Sequence, residues 1–193
     1  MLIKKKLKEI HFKVVYFGPS MSGKTTNLER IHRKINPDLR SSMISIKTFE
    51  DRTLYFDFTQ LNMSKINGLT PKFDLYTIPG QPRYYATRKI ILQGVDGVVF
   101  VADSDPCRLD DNIRSYNDLK HLLTELGKPV NKFPIILQCN KQDLPQAMAP
   151  EILKEQLESR DIPNYAAVAI QNIGIFETLK EIIIRLGKEI ISA

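Results

Sequence analysis

The sequence predicts a doubly wound α/β fold, in which a mostly parallel sheet has helices on both faces. Segments 97–102 (GVVFVA) and 135–139 (IILQC) are almost entirely apolar, as strands are when both faces of a sheet are covered. Helical stretches separate such strands along the chain, and this alternation is typical of parallel sheets. The 193 residues suffice for one domain with a full core, so we expect a single domain over residues 1–193.

Hydrophobic periodicity and turn residues define the other elements. The patterns predict strands at 14–17, 54–58 and 73–78, and helices at 25–35, 107–126 and 150–159. The first helix is expected to stop before Pro37, and Asn67-Gly68 is a typical hairpin turn. A C-terminal amphipathic helix packed on the sheet is predicted by apolar residues at helical spacing, namely Phe176, Leu179, Ile183, Leu186 and Ile190.

Composition argues against a secreted, membrane-spanning or disordered protein. Apolar residues make up 42% and charged residues 26% of the chain, both ordinary values for a soluble globular protein. No apolar run approaches the roughly 20 residues that cross a bilayer. The N-terminus lacks the apolar stretch of a secretory signal. Two cysteines, Cys107 and Cys139, cannot build a disulfide framework, so we expect a cytoplasmic protein.

The positive charge of the chain is concentrated near its N-terminus. Residues 1–40 carry 10 Lys and Arg against 3 Asp and Glu, whereas the remaining residues carry 18 against 19. Two interpretations stay open: weak contact with an anionic membrane surface, which would place the protein at the membrane periphery, or a solvated first strand. A nucleic-acid partner is not expected, because no stripe of basic and aromatic residues follows.

The motif GPSMSGKT at residues 18–25 carries the strongest chemical signal. It matches G-x-x-x-x-G-K-[ST] and lies between a predicted strand and a predicted helix, the arrangement of a P-loop NTPase. Backbone N–H groups of such a loop point at phosphate oxygens, with the helix dipole behind them. Lys24 can reach the β- and γ-phosphates, and the Thr25 hydroxyl can ligate Mg²⁺. The expected phosphate-binding residues are Gly18, Ser20, Met21, Ser22, Gly23, Lys24, Thr25 and Thr26.

A second motif, NKQD at residues 140–143, follows the apolar strand 135–139. The Asp143 carboxylate can accept two hydrogen bonds from the N1–H and amino group of guanine, a pair that adenine does not offer. Lys141 can lay its aliphatic stem along the base, and Asn140 completes the motif. This loop argues against an ATP-using, kinase-like phosphotransferase, for which the sequence also has no acceptor-site signature.

Together, GPSMSGKT and NKQD resemble the Ras-like small GTPase superfamily, and the match runs through nearly the whole chain. GKTTNLERI, EDRTLYFDF and TIPGQPRYYATRKIILQGVDGVVFVADS resemble the MglA-type bacterial GTPases of cell polarity and gliding motility. The resemblance implies a Ras-like fold and a switch that binds GTP or GDP with Mg²⁺. It implies GTP hydrolysis that is slow without a partner. It also implies a Roadblock-fold GTPase-activating protein of the MglB type, polarity or motility effectors, and a polar location.

The resemblance also assigns roles to residues. Thr53 resembles the first-switch threonine, which contacts Mg²⁺ and the γ-phosphate, so the implied metal ligands are Thr25 and Thr53. Gly80 resembles the second-switch glycine, whose N–H contacts the γ-phosphate. Gln81 resembles the glutamine that orients the attacking water. The implied catalytic residues are Gln81, Lys24 and Arg52, the last matching the intrinsic arginine of MglA-type proteins. Val168 and Ala169 occupy the guanine loop, where the Ala169 N–H is expected to reach the guanine oxygen.

Two departures from the superfamily pattern leave a second function open. Thr77 stands where most Ras-like proteins have an aspartate that supports Mg²⁺, so another carboxylate, such as Asp57, would have to substitute. Ser20 stands where a glycine usually packs against the γ-phosphate, and its side chain could crowd Gln81. Both features favour a GTP-binding scaffold with little hydrolysis, whereas Gln81 and Arg52 favour an active GTPase.

Overall fold

A computed structural model describes residues 1–46, 56–159 and 161–191. These residues form eight strands and five α-helices. The strands are β1 (Leu2–Lys4), β2 (Glu9–Phe17), β3 (Ile44–Ile46), β4 (Phe56–Asn62), β5 (Thr70–Thr77), β6 (Gly97–Asp103), β7 (Ile135–Asn140) and β8 (Asn164–Ala166). The helices are α1 (Lys24–Lys34), α2 (Tyr85–Leu92), α3 (Leu109–Glu125), α4 (Pro150–Gln156) and α5 (Ile175–Ile191).

The strands form one mixed sheet in the order β3-β4-β5-β2-β6-β7-β8. Strands β5, β2, β6, β7 and β8 are mutually parallel. Strands β3 and β4 are antiparallel additions at one edge, and β1 pairs antiparallel with the start of β2. The turn between β4 and β5 uses Asn67 and Gly68 with φ of 49° and 79°, as a tight hairpin turn requires.

Helices cover both faces of the sheet, so the predicted doubly wound α/β fold is confirmed. On one face, Leu28 of α1 and Leu186 of α5 pack with Phe12 of β2. On the other face, helices α2, α3 and α4 pack over β6 and β7, with Phe100 and Leu119 fully buried. The carboxyl ends of the parallel strands therefore meet at one edge of the sheet, where ligands of such folds bind.

Several elements differ from the sequence-based predictions in extent. The apolar face of α5 is buried through Ile175, Leu179, Ile182 and Leu186, while the predicted Phe176 and Ile183 pack at its rim. The strand predicted at 54–58 is described from Phe56 and continues to Asn62, and residues 54 and 55 lie outside the described part of the chain. Strands β3 and β8 were not predicted, and the sequence patterns did not give the bounds of strand β1 or helix α2.

The basic N-terminus forms a strand followed by a tight helical turn. Lys4, Lys5, Lys6 and Lys8 are all exposed, and the ammonium group of Met1 pairs with Asp96. Leu2 and Leu7 beside these lysines are 59% and 62% exposed. No helix within the described residues is long and apolar enough to span a bilayer.

Candidate functional site

The phosphate loop lies between β2 and α1, at the carboxyl edge of the sheet. Gly23, at the N-terminus of α1, adopts a φ of 102°. A Cβ added there would lie 2.2 Å from the Asn140 amide nitrogen, so only glycine allows the two loops to pack. Around it, Ser22 is buried, Thr26 is half-buried, and Met21 is 83% exposed with a φ of 62°.

Lys24 folds back over the phosphate loop. Its ammonium donates to the carbonyl oxygens of Gly18 at 3.0 Å and Pro19 at 2.5 Å. Burial, and to a smaller extent the positive charges of Arg88 and Arg108, lower the pKa of Lys24 to about 7. A phosphate group bound at the loop would place a negative charge beside Lys24. This charge would stabilise the protonated amine and raise its pKa.

We expect GDP binding to take up protons above neutral pH. Because the pKa of Lys24 is about 7 in the nucleotide-free protein, the amine is mostly neutral at pH 8, whereas phosphate restores the charged form. GDP affinity should therefore fall as pH rises above 7. Calorimetry at pH 8 in two buffers of different ionisation enthalpy measures the uptake, expected to approach one proton per GDP. Equal binding heats in the two buffers would contradict this prediction.

Asp57 is the buried carboxylate of the cleft next to the phosphate loop. This open cleft, about 430 Å³ in volume, is lined by Lys24, Thr25, Asp57, Thr77 and Gln81 among others. The hydroxyls of Thr25 and Thr77 donate to one Asp57 oxygen at 2.7 and 2.9 Å. The Ser45 hydroxyl donates to the other at 2.8 Å. Thr77 is in turn held by the Asp57 N–H at 2.8 Å.

This arrangement fits a divalent cation held through the phosphate loop. The Thr25 hydroxyl donates a hydrogen bond to Asp57, which leaves the lone pairs of its oxygen for a metal ion. A carboxylate that accepts this bond increases the basicity of the ligand. Asp57 therefore supplies the negative charge that Thr77 cannot. The described residues contain no cluster of three or more His, Cys, Asp and Glu.

The second switch lies directly against the phosphate loop. A Cβ added to Gly80 would lie 2.3 Å from the Ser20 nitrogen and 2.6 Å from its Cα, so the two backbones are in contact. Gln81 follows with an exposed side chain and lines the cleft together with Lys24 and Thr25. Ser20 is half-buried at this contact. The structure thus brings Ser20, Gly80 and Gln81 together, as the resemblance implies.

Asn140 connects the phosphate loop to the guanine loop. Its amide nitrogen donates to the Ser22 carbonyl at 2.7 Å, and its amide oxygen accepts the Ala169 N–H at 2.9 Å. The expected contact of this N–H with a guanine oxygen would therefore have to share or open the hydrogen bond to Asn140. Val168 is buried and pairs with Ile173, which holds the loop in place.

Lys141 and Asp143 occupy the turn after β7. Lys141 adopts a φ of 68° and donates to Asp103 at 2.6 Å. Gln142 donates to the Ser104 hydroxyl and the Met148 carbonyl at 2.6 and 2.9 Å, which fixes the turn. The exposed carboxylate of Asp143 makes no hydrogen bond to any described residue. Arg52 and Thr53, the implied switch residues, lie outside the described residues.

The sequence patterns missed Asp103, which is completely buried at the end of β6. Its oxygens accept hydrogen bonds from Lys141 and from the Asp105 N–H. The sequence does contain a signal for it, because in GVVFVAD a carboxylate directly follows an apolar run. A carboxylate at the end of a buried strand is itself expected to be buried, and a buried charge needs a partner.

Comparison with known proteins identifies the family. The model of the ADP-ribosylation factor family matches residues 1–188. The chain is 47% identical to the mutual gliding-motility protein MglA of Myxococcus xanthus, over 91% of this chain and 90% of that protein. It is 29% identical to ADP-ribosylation factor-like protein 2 of Drosophila melanogaster, over 86% and 79%. It is 27% identical to the Ras-related protein Rab-5B of Plasmodium falciparum, over 69% and 64%.

These similarities confirm the resemblance inferred from the motifs and disfavour the scaffold alternative. The phosphate loop, the guanine loop and the second switch all lie at one edge of the sheet, where a guanine nucleotide binds in Ras-like proteins. The chain belongs to the ADP-ribosylation factor family and, within it, to the MglA-type small GTPases, which are switches that hydrolyse GTP to GDP.

Proposed function

We propose that this GTPase works as a Mg²⁺-dependent switch in cell polarity or gliding motility. The similarity to MglA supports the biological process, and the cluster of Asp57, Thr25 and Thr77 supports the metal dependence. In this proposal Thr25 and Thr53 hold the cation, and Asp57 orients the Thr25 hydroxyl. When bound, Mg²⁺ neutralises charge on the β- and γ-phosphate oxygens.

Other residues of the chain bind the phosphates and promote hydrolysis. Lys24 pairs with the phosphates, and the Gly80 N–H donates to the γ-phosphate. Gln81 orients the attacking water, and Arg52 neutralises charge on the transferring phosphoryl group. Residues near 45–65 and 79–90 are held in one arrangement by the γ-phosphate and released after hydrolysis.

The proposed partners follow from the same family. A Roadblock-fold protein of the MglB type accelerates hydrolysis, and polarity or motility effectors bind the GTP form. The proposed location is the cytoplasm, with recruitment to a pole or to the membrane periphery. Exposed lysines near the N-terminus, with Leu2 and Leu7 beside them, favour weak contact with anionic lipid over a merely solvated strand.

Moving the carboxylate from position 57 to position 77 tests the metal site. Asp57→Asn should weaken the effect of Mg²⁺ on nucleotide binding by about 10–100-fold, because the Thr25 hydroxyl loses its charged acceptor. Adding Thr77→Asp to Asp57→Asn should recover much of the loss, because the two side chains are 2.9 Å apart. The measurement is the dissociation rate of a fluorescent GDP analogue as Mg²⁺ is titrated.

Asp74→Asn is the matched control for Asp57→Asn. Asp74 is half-buried on the neighbouring strand β5, where it contacts His11 and Gln60 rather than the cleft. Its variant should keep the Mg²⁺ dependence of the unaltered protein. An unchanged Mg²⁺ titration for Asp57→Asn would mean that the cation does not depend on this carboxylate.

A further inference from the structure

The side chain of Arg108 contacts the main chain of the phosphate loop. Arg108 lies immediately before α3, and its side chain is 34% exposed. One guanidinium nitrogen, Nη2, donates to the Ser20 carbonyl at 2.8 Å. Nη1 lies 2.7 Å from Asp111, and Nε lies 3.9 Å from Asp103. The planar guanidinium thus contacts three different parts of the chain at once.

Ser20, whose carbonyl Arg108 holds, lies at the contact between the phosphate loop and the second switch. Gly80 packs on the Ser20 backbone closely enough to exclude a Cβ, and Gln81 is the next residue. A cavity of about 210 Å³ is bordered by Ser20, Gly80, Gln81 and Arg108. Because Gly80 faces the nitrogen and Cα of Ser20, a shift of the Ser20 backbone would displace Gly80, and Gln81 with it.

Arg108 is itself fixed by buried groups. The backbone of Asp103 is held on both sides by the Asn112 side chain, through hydrogen bonds of 2.9 and 2.8 Å. The Asp103 carboxylate attracts Arg108 and also binds Lys141 of the NKQD turn at residues 140–143. This carboxylate therefore connects the two loops that contact opposite ends of a guanine nucleotide.

We propose that Arg108 is a positioning residue for GTP hydrolysis. By holding the Ser20 carbonyl, it fixes the backbone against which Gly80 and Gln81 must settle before water attacks. It does so without contacting the nucleotide. Preorganised backbone geometry lowers the barrier because no reorganisation is needed at the moment of reaction. The proposal rests on the GTPase activity and adds a residue that the catalytic motifs do not contain.

Arg108→Met removes the hydrogen bond to Ser20 and keeps much of the aliphatic stem. We expect its single-turnover hydrolysis rate at saturating GTP, without any partner protein, to fall about tenfold. The GDP dissociation constant should stay within about twofold, because the nucleotide-binding groups remain. Arg108→Lys should have an intermediate rate, because an ammonium can still donate to the carbonyl but cannot also bridge to Asp111.

Arg114→Met, on helix α3 directly after Arg108, is the matched control. Arg114 donates to the same Asp111, at 2.5 Å, but makes no hydrogen bond to the phosphate loop among the described residues. Its variant should hydrolyse GTP at the unaltered rate. Equal or faster hydrolysis by Arg108→Met would overturn the proposal, as would a parallel loss of rate and GDP affinity. If that variant does not fold, a rate for Arg108→Lys equal to the unaltered protein overturns it equally. Failure of the unaltered protein to hydrolyse GTP would instead contradict the GTPase assignment.

Discussion

Arg52→Ala is expected to abolish most partner-stimulated GTP hydrolysis, a loss of about 10³–10⁵-fold. Arg52 precedes Thr53, which should be held at the γ-phosphate in the GTP state. One residue of extended chain spans ~3.3–3.6 Å, and an arginine side chain reaches further, so contact with the γ-phosphate is sterically possible. A Roadblock-type partner would then act by stabilising the inward position of Arg52 and Gln81, without contributing a catalytic residue.

The measurement is GTP turnover at saturating Roadblock partner, with GTP and partner binding followed separately. Both binding affinities should remain close to those of the unaltered protein. Arg52→Lys should rescue poorly, because an ammonium lacks the planar fork of guanidinium. Arg33→Ala, at an exposed arginine of α1, is the matched control and should respond fully to the partner. Near-complete stimulation of Arg52→Ala would mean that the arginine comes from elsewhere or that none is used.

The central sheet could be predicted because the burial of its strands is visible in the local sequence. Strands β6 and β7 are buried on both faces, so their sequences are almost entirely apolar, with polar residues mainly at their carboxyl ends. Strands β1, β3 and β8 have only three residues each, too few to show a pattern. The sequence patterns did not delimit helix α2, because Arg88 occupies its buried face. The side chain of Arg88 is 2% exposed and reaches Asp118 on α3, a pairing that no local pattern reveals.

Site residues within a contiguous motif could be predicted from the sequence, whereas contacts between residues distant in sequence could not. The phosphate and guanine motifs are contiguous, so Lys24 and Asp143 could be assigned directly. Asp57 was only one candidate carboxylate until the fold placed it 2.7 Å from the Thr25 hydroxyl, 32 residues away in sequence. The contact of Arg108 with Ser20 spans 88 residues and involves a main-chain carbonyl, which leaves no trace in residue identity.

The turn that carries Asp143 is held in place by neighbouring side chains and not by the side chain of Asp143 itself. Asn140, Lys141 and Gln142 make the hydrogen bonds that hold the turn. The Asp143 carboxylate is exposed and makes no hydrogen bond to a described residue. Replacing it should therefore leave the fold intact and change only what the loop offers to a base. A change of base specificity in such a variant would therefore report on the NKQD turn and not on the stability of the fold.

Asp143→Asn should weaken GTP binding by about 2–4 kcal/mol, because polar groups of guanine lose their charged acceptor. The variant should prefer xanthine nucleotides, whose additional 2-oxo group accepts a hydrogen bond from the new amide. Competition against a labelled GDP analogue, with GTP, XTP and ATP as competitors, measures both effects. Asp161→Asn, at another exposed carboxylate, should keep the preference for GTP. ATP competing as well as GTP in the unaltered protein would contradict guanine selectivity. An unchanged GTP preference in Asp143→Asn would show that this carboxylate does not select the base.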